Sequence, residues 1–229
     1  MKKTATIIIA LFALFISAPA HTAPVYGTTM PEMDRWIYGF ETNIIFDRDL
    51  ENDYGNVSSR QYFADMSYAP YDWLSFDFKI GVGDAANSRT GSDKIVYNPH
   101  FAGGYGFRLR LFETPDTGYK GVFGFQHISV HPTSSDIRGS EHEAILDDWQ
   151  LSLIVSKHIR RFTPYAGIKL SRLDLIHKIS GQRKREMADG PYLGLAAGAD
   201  IKINDIFTLN IEGRVIDEAA FSTSITRRF

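Results

Sequence analysis

The chain contains no cysteine. That excludes a disulfide frame and any thiolate-bound metal. It has no basic excess: 25 Lys and Arg stand against 27 Asp and Glu, for a formal net charge of -2. A nucleic-acid partner requires a surplus of cations to displace counterions from phosphates, so none is expected. After the first two dozen residues no apolar run approaches the ~18 residues that a membrane-crossing helix needs. His131 and His142, with Asp136 or Glu143, come nearest to a metal-ligand set, but the stretch is irregular. Neither a metal nor a cofactor is expected.

What is present begins with an export signal. Lys2 and Lys3 precede an apolar core over residues 6–16, and Ala18-Pro19-Ala20 supplies small residues for cleavage. Cleavage after Ala23 is the alternative. The expected division is a signal peptide over residues 1–23 and one domain over residues 24–229, and 229 residues suffice for one sizeable domain.

The stretch 36–47, WIYGFETNIIFD, alternates strictly. Trp36, Tyr38, Phe40, Thr42, Ile44 and Phe46 share one face; Gly39, Glu41, Asn43 and Asp47 share the other. Such a strand is longer than the usual five or six residues and matches the roughly nine to eleven that a tilted strand needs to cross a bilayer. The pattern recurs. Residues 73–83 set Leu74, Phe76, Phe78, Ile80 and Val82 against Ser75, Asp77, Lys79 and Gly81. Similar alternation marks residues 60–68, 97–112, 119–130, a stretch ending near Val155, 164–173, and three further strands beginning near Leu193, Phe207 and Ala219. The mean hydropathy of -0.18 resembles that of a soluble protein, but polar inward residues dilute the apolar outward ones in a barrel. Asp116-Thr117-Gly118, although a catalytic triplet elsewhere, reads here as a turn after Pro115.

Long and short connections alternate, starting with a long one, as when outer loops are long and inner turns short. The expectation is an all-β fold: a closed antiparallel transmembrane β-barrel of about ten strands. The connection at Asp217 to Ala219 should be external yet is short, so eight strands is the fallback. The whole mature chain resembles the small outer-membrane β-barrels of Gram-negative bacteria of the opacity-protein type, and Phe229 in SITRRF resembles their C-terminal insertion signature. That resemblance implies a location in the outer membrane, contact with its lipids and lipopolysaccharide, and the barrel-assembly machinery as a partner. It leaves the oligomeric state open.

Inward positions carry Glu41, Asp65, Asp77, Asp200 and Glu212, and Lys79, Arg108, Arg110, Lys169, Lys202 and Arg214. Opposite charges in a narrow lumen pair, because an unpaired buried charge is costly. A filled polar interior is expected; an open pore, a narrow conduit and a ligand cavity are the alternatives. A non-enzymatic envelope or surface-contact protein is the first functional expectation.

Chemistry has one candidate place. In the strand 119–130, His127 and Ser129 share the parity of Phe123 and Phe125, which points them at the outer wall. A serine hydroxyl beside an imidazole is a nucleophile and base pairing. The stretch FQHIS resembles the His-x-Ser element of lipid A deacylases and the outer-membrane phospholipase. That resemblance implies Ser129 as nucleophile, His127 as base and Glu141 as orienting carboxylate, with Glu143 and Asp147 on the same parity. Val130 stands where those families usually have asparagine. The alternative functional expectation is therefore an outer-leaflet lipid-ester hydrolase. His100, His158 and His177 are expected at inward or loop positions. Arg183, Lys184 and Arg185 are expected in an external loop, within reach of lipopolysaccharide phosphates or simply solvated.

Overall fold

The computed structural model describes residues 24–51, 54–89, 94–137, 139–179, 182–187 and 192–229. The expected signal peptide lies outside the described residues. Strands are β1 (Trp36–Asp49), β2 (Asn56–Tyr71), β3 (Leu74–Ser88), β4 (Ile95–Thr114), β5 (Tyr119–Val130), β6 (Ser135–Ile137), β7 (Ser140–Lys157), β8 (Phe162–Ile179), β9 (Gln182–Met187), β10 (Leu193–Lys202), β11 (Phe207–Val215) and β12 (Ala219–Arg228). Ten of them form an antiparallel ring in the order β1-β2-β3-β4-β5-β7-β8-β10-β11-β12. The ring closes where β1 meets β12, from Ile37 opposite Arg228 to Asp47 opposite Ala219. Closure leaves no strand edge in the wall, which is the condition under which strands can cross lipid. The eight-strand fallback is set aside by the continuous β11–β12 ladder.

Side-chain parity sorts the two faces. Phe76, Phe78, Ile80 and Val82 of β3 point away from the barrel, as do Leu151, Leu153 and Val155 of β7 and Ile168 and Leu170 of β8. Phe40 is 72% exposed and Ile80 63%. So large a contiguous apolar wall exceeds the few hundred Å² a soluble protein exposes. From Leu74 to Val82 this wall is about 20 Å high at a strand tilt of ~40°, close to the apolar band of outer-membrane barrels. Aromatic rings gather at its lower rim: Trp36 packs on Tyr68 at 4.5 Å, Tyr71 stacks on Trp73 at 5.6 Å, and Phe229 meets Tyr38 edge-on at 5.3 Å. Arg227 bends back to put its guanidinium 4.3 Å from the Phe229 ring centroid.

The interior is filled in three layers. Residues 24–33 enter from the lower mouth. Above them lie paired charges: Lys79 with Glu41 at 2.5 Å, Arg108 with Asp77 at 2.6 Å, and Arg214 with Glu212 at 3.0 Å and Glu218 at 2.8 Å. The upper layer is apolar. Ile45, Phe63, Tyr97, Ala102, Ile128, Val130, Leu146, Leu173 and Leu175 form one buried cluster, with Leu50 and Tyr54 folded over it.

This apolar layer explains the differences from the sequence expectation. At the upper end the inward face turns from polar to greasy, so the wet-inside rule stops marking strands there. β3 accordingly runs to Ser88 rather than residue 83, and β8 to Ile179 rather than residue 173. The loop after residue 130 holds β6, which pairs β7; β9 likewise pairs the upper part of β8. The short connection after β11 also has a cause. Ile216 takes a positive φ of 89°, and Asp217 and Glu218 turn into the lumen instead of outward. There Lys169 bonds Glu218 and lies 2.9 Å from Asp217, while Ser171 Oγ donates to Asp217 at 2.5 Å. Arg110 and Lys202 sit at the lower mouth, with Arg110 on Glu113 and Lys202 on Asp205.

Candidate functional site on the outer wall

β5 and β7 pair so that His127 stands opposite Trp149 and Ser129 opposite Asp147. On the other flank, Tyr105 of β4 stands opposite His127 and Gly103 opposite Ser129. Directly opposed residues in an antiparallel pair share a face. The outer wall therefore carries an aromatic row, Tyr105–His127–Trp149, and above it the row Gly103–Ser129–Asp147.

His127 is held from three sides. Its ring stacks on Trp149 at 4.0 Å and 28°, and meets Tyr105 at 5.2 Å. Its Nε2 lies 2.9 Å from Asp147 Oδ1. The side chains of the pair keep 15% and 20% of their surface exposed. Trp149 Nε1 donates to the other Asp147 oxygen at 3.4 Å. An imidazole held by a carboxylate in this way has a set tautomer and a set direction.

Ser129 bonds a different imidazole. Its Oγ lies 3.0 Å from His131 Nε2, and His100 Nδ1 lies 3.2 Å from the His131 carbonyl oxygen. His131 also packs near Phe101, at 6.1 Å. The expected base and nucleophile, His127 and Ser129, are thus neighbours on one wall that do not bond each other, and the Asp147 carboxylate faces both. The expected carboxylate differs too. Glu141 stands opposite Asp136 in the β6–β7 hairpin, about 20 Å further along the strand than Asp147. Asp147 takes the place at His127 because it shares the register row with Ser129. Glu143 pairs with Lys178 at 2.6 Å on the same extension.

Sequence reasoning missed His131 as the partner of Ser129, although the run His127-Ile128-Ser129-Val130-His131 puts all three polar residues on one parity. It also missed Trp149 as the platform beneath His127, which depends on the β5–β7 register. Of the other histidines, His177 is buried in the upper layer, 5.4 Å from the Tyr54 ring, and His158 lies exposed at the lower rim beside Thr163. No group of three or more His, Asp or Glu suited to a metal ion is assembled among the described residues. Arg183, Lys184 and Arg185 belong to β9, and their side chains lie outside the described set.

Chemically, the wall offers a hydroxyl with an imidazole at hydrogen-bond distance, and beside it a histidine–aspartate pair. These are the two halves of a triad distributed over two imidazoles.

The fold defines the class: a closed antiparallel β-barrel of the transmembrane kind with a filled interior. No protein-family model matches the chain, and no curated protein matches it in sequence. Among solved structures it is similar to an outer membrane channel from Pseudomonas putida F1, at 10% identity over 91% of this chain and 100% of that one, with a TM-score of 0.49. It is similar to the translocator domain of the autotransporter NalP from Neisseria meningitidis, at 11% identity over 100% and 98% of the two chains, TM-score 0.45. It is also similar to Ail, the attachment invasion locus protein of Yersinia pestis, at 9% identity over 87% and 100%, TM-score 0.44. At such scores no role passes from these proteins to this chain.

Proposed function

We propose that this protein is an integral barrel of a Gram-negative outer membrane, exported by its N-terminal leader, with a sealed interior and an envelope-structural or surface-contact role exercised through its upper hairpins. The single observation that carries the reading is the filling of the lumen. Among the described residues an apolar cluster occupies its upper end and bonded charges occupy its middle, which supports a closed lumen. The aromatic lower rim, where Phe229 meets Tyr38, supports a barrel seated in lipid. The upper extension, with Lys178 and Glu143 exposed, supports contact with lipopolysaccharide and outside partners. Planar-bilayer recording tests the seal. Purified protein should insert without discrete conductance steps, and regular steps would remove this reading.

A second reading is favoured by the contacts on the outer wall: lipid-ester hydrolysis with Ser129 as nucleophile. His131 is the imidazole at its hydroxyl, and His127 with Asp147 is the oriented pair beside it. A lipid-facing position suits a substrate that is itself a lipid. Refolded protein offered lipopolysaccharide and phospholipid should release fatty acid, and Ser129→Ala should abolish the release. Absence of release from the unaltered protein sinks this second reading and leaves the first in place.

A further inference from the structure

The outer wall turns from apolar to polar along one level, and Arg172 stands on it. On β8, Phe162, Ile168 and Leu170 point outward and are exposed, and Arg172 is the next residue of that parity. It lies about 25 Å above Phe162 at a strand tilt of ~40°, which is the height of the apolar band of an outer-membrane barrel. On β3 the first charged outward residue after Val82 is Asp84, bonded by Arg60 of β2. Arg60 and Arg172 are used differently. Arg60 gives Nε and Nη2 to Asp84, at 2.9 and 2.8 Å. Arg172 gives only Nε, to the buried Asp174 at 3.3 Å, and its side chain is 50% exposed. Among the described residues neither Nη group of Arg172 has a hydrogen-bond or ion-pair partner. At the edge of a hydrocarbon layer such donors require an acceptor.

The surroundings of Arg172 narrow the choice of acceptor. Arg172 stands directly opposite Trp149 on β7, and Asp174 opposite Asp147. The row Tyr105–His127–Trp149 therefore ends on Arg172, whose Cα is about 5 Å from that of Trp149 and about 10 Å from that of His127 across the strands. The row beneath is Phe125–Leu151–Leu170, wholly apolar. A cationic fork at headgroup height, an indole beside it and an apolar wall below match one kind of amphiphile, with its phosphate at the top and its chains underneath. Charge narrows the kind further. The carboxylates of Asp147 and Asp174 flank the fork and oppose a ligand with several negative charges. A single phosphodiester sets one charge against one and offers two oxygens to the fork.

We propose that Arg172 and Trp149 form a headgroup seat for a glycerophospholipid, with its phosphodiester on the two open Nη groups and its chains along Leu151 and Leu170. This rests on the lipid-facing reading of the outer wall and names the lipid held there. It does not require hydrolysis at Ser129.

The test uses the refolded protein in detergent micelles. It carries Ser129→Ala to prevent turnover, and Trp36→Phe and Trp73→Phe so that Trp149 is the tryptophan that remains. Heat-modifiable migration checks the fold of each chain. Quenching of Trp149 is followed as phosphatidylglycerol with brominated chains, or a diacylglycerol with the same chains, is added. Half-quenching by the phospholipid should need a mole fraction at least about tenfold lower than by the diacylglycerol, the size of a charge-assisted bond. Arg172→Gln should remove that preference, and Arg172→Lys should keep part of it, as a point charge without the fork. Arg60→Gln, at the same height on β2, should keep all of it. Equal half-quenching by the two lipids in the parent overturns the proposal with no change at position 172, and so does a preference that survives Arg172→Gln. Unbrominated lipopolysaccharide that relieves the quenching at a lower mole fraction than unbrominated phosphatidylglycerol overturns the choice of a single phosphodiester. Fatty-acid release is measured separately on the chain that keeps Ser129, so a failed seat and a failed hydrolase give different results.

Discussion

Replacing Arg108 by methionine tests the dry interior most directly. Arg108 holds Asp77 with two bonds, Nη2 to Oδ1 at 2.6 Å and Nε to Oδ2 at 3.0 Å. Asp77 is 1% exposed and Arg108 4%. Removing the guanidinium leaves a buried carboxylate whose remaining partner is the Ser67 hydroxyl at 2.6 Å. Orphaning one member of a buried pair costs about 3–5 kcal/mol. At ~1.4 kcal/mol per decade, the folded-to-unfolded ratio should fall by two to three orders of magnitude or more. The double variant Arg108→Met/Asp77→Leu removes both charges and should recover only part of that loss, because the orphaned carboxylate is gone while the carbonyls of Tyr26 and Thr29 still lose the Arg108 donor. Urea titration of protein refolded into phospholipid vesicles, followed by emission from the three tryptophans, measures all three chains. A loss under about 1 kcal/mol for the single variant is the size found for solvent-exposed pairs. That result would mean a hydrated lumen and would refute the filled-interior account.

Further expectations follow from the same geometry. Phe78→Lys, on the outward face next to Asp77, should destabilise the barrel in vesicles by about 2–4 kcal/mol, read from the same titration, if that row lies near mid-membrane. Arg214→Met, which strips Glu212, Glu218 and Asn43 of a shared partner, should cost about 3–5 kcal/mol and should lose heat-modifiable migration at a lower temperature than the parent. Asp147→Asn should leave the barrel's stability within about 1 kcal/mol, since the His127 pair is partly exposed; in the hydrolase reading it should lower lipid turnover, measured as released fatty acid. Phe229→Ala removes the edge contact with Tyr38 and should reduce the amount of barrel found in outer-membrane fractions, with little change in the refolded protein's urea midpoint.

Alternation of side chains was enough to establish the wall. Residues 36–47 and 73–83 carry it so plainly because period two is a local property: a residue and its neighbour must face opposite sides whatever the rest of the chain does. The inward charges at Glu41, Asp77, Lys79, Arg108 and Arg214 were legible for the same reason. Which charge meets which was not, since Lys169 reaches Asp217 and Glu218 only because a short connection folds inward. The candidate site divides along the same line. That His127 and Ser129 share the outer face is parity alone. That Asp147 rather than Glu141 reaches His127, and that His131 rather than His127 reaches Ser129, depends on strand register, which is set by closure of the whole ring. Strand parity already turns Ile128 and Leu146 inward, opposite to His127 and Asp147. That such residues from separate strands meet in one closed apolar layer, and that residues 24–33 fill the lumen below it, only the long-range arrangement of strands decides.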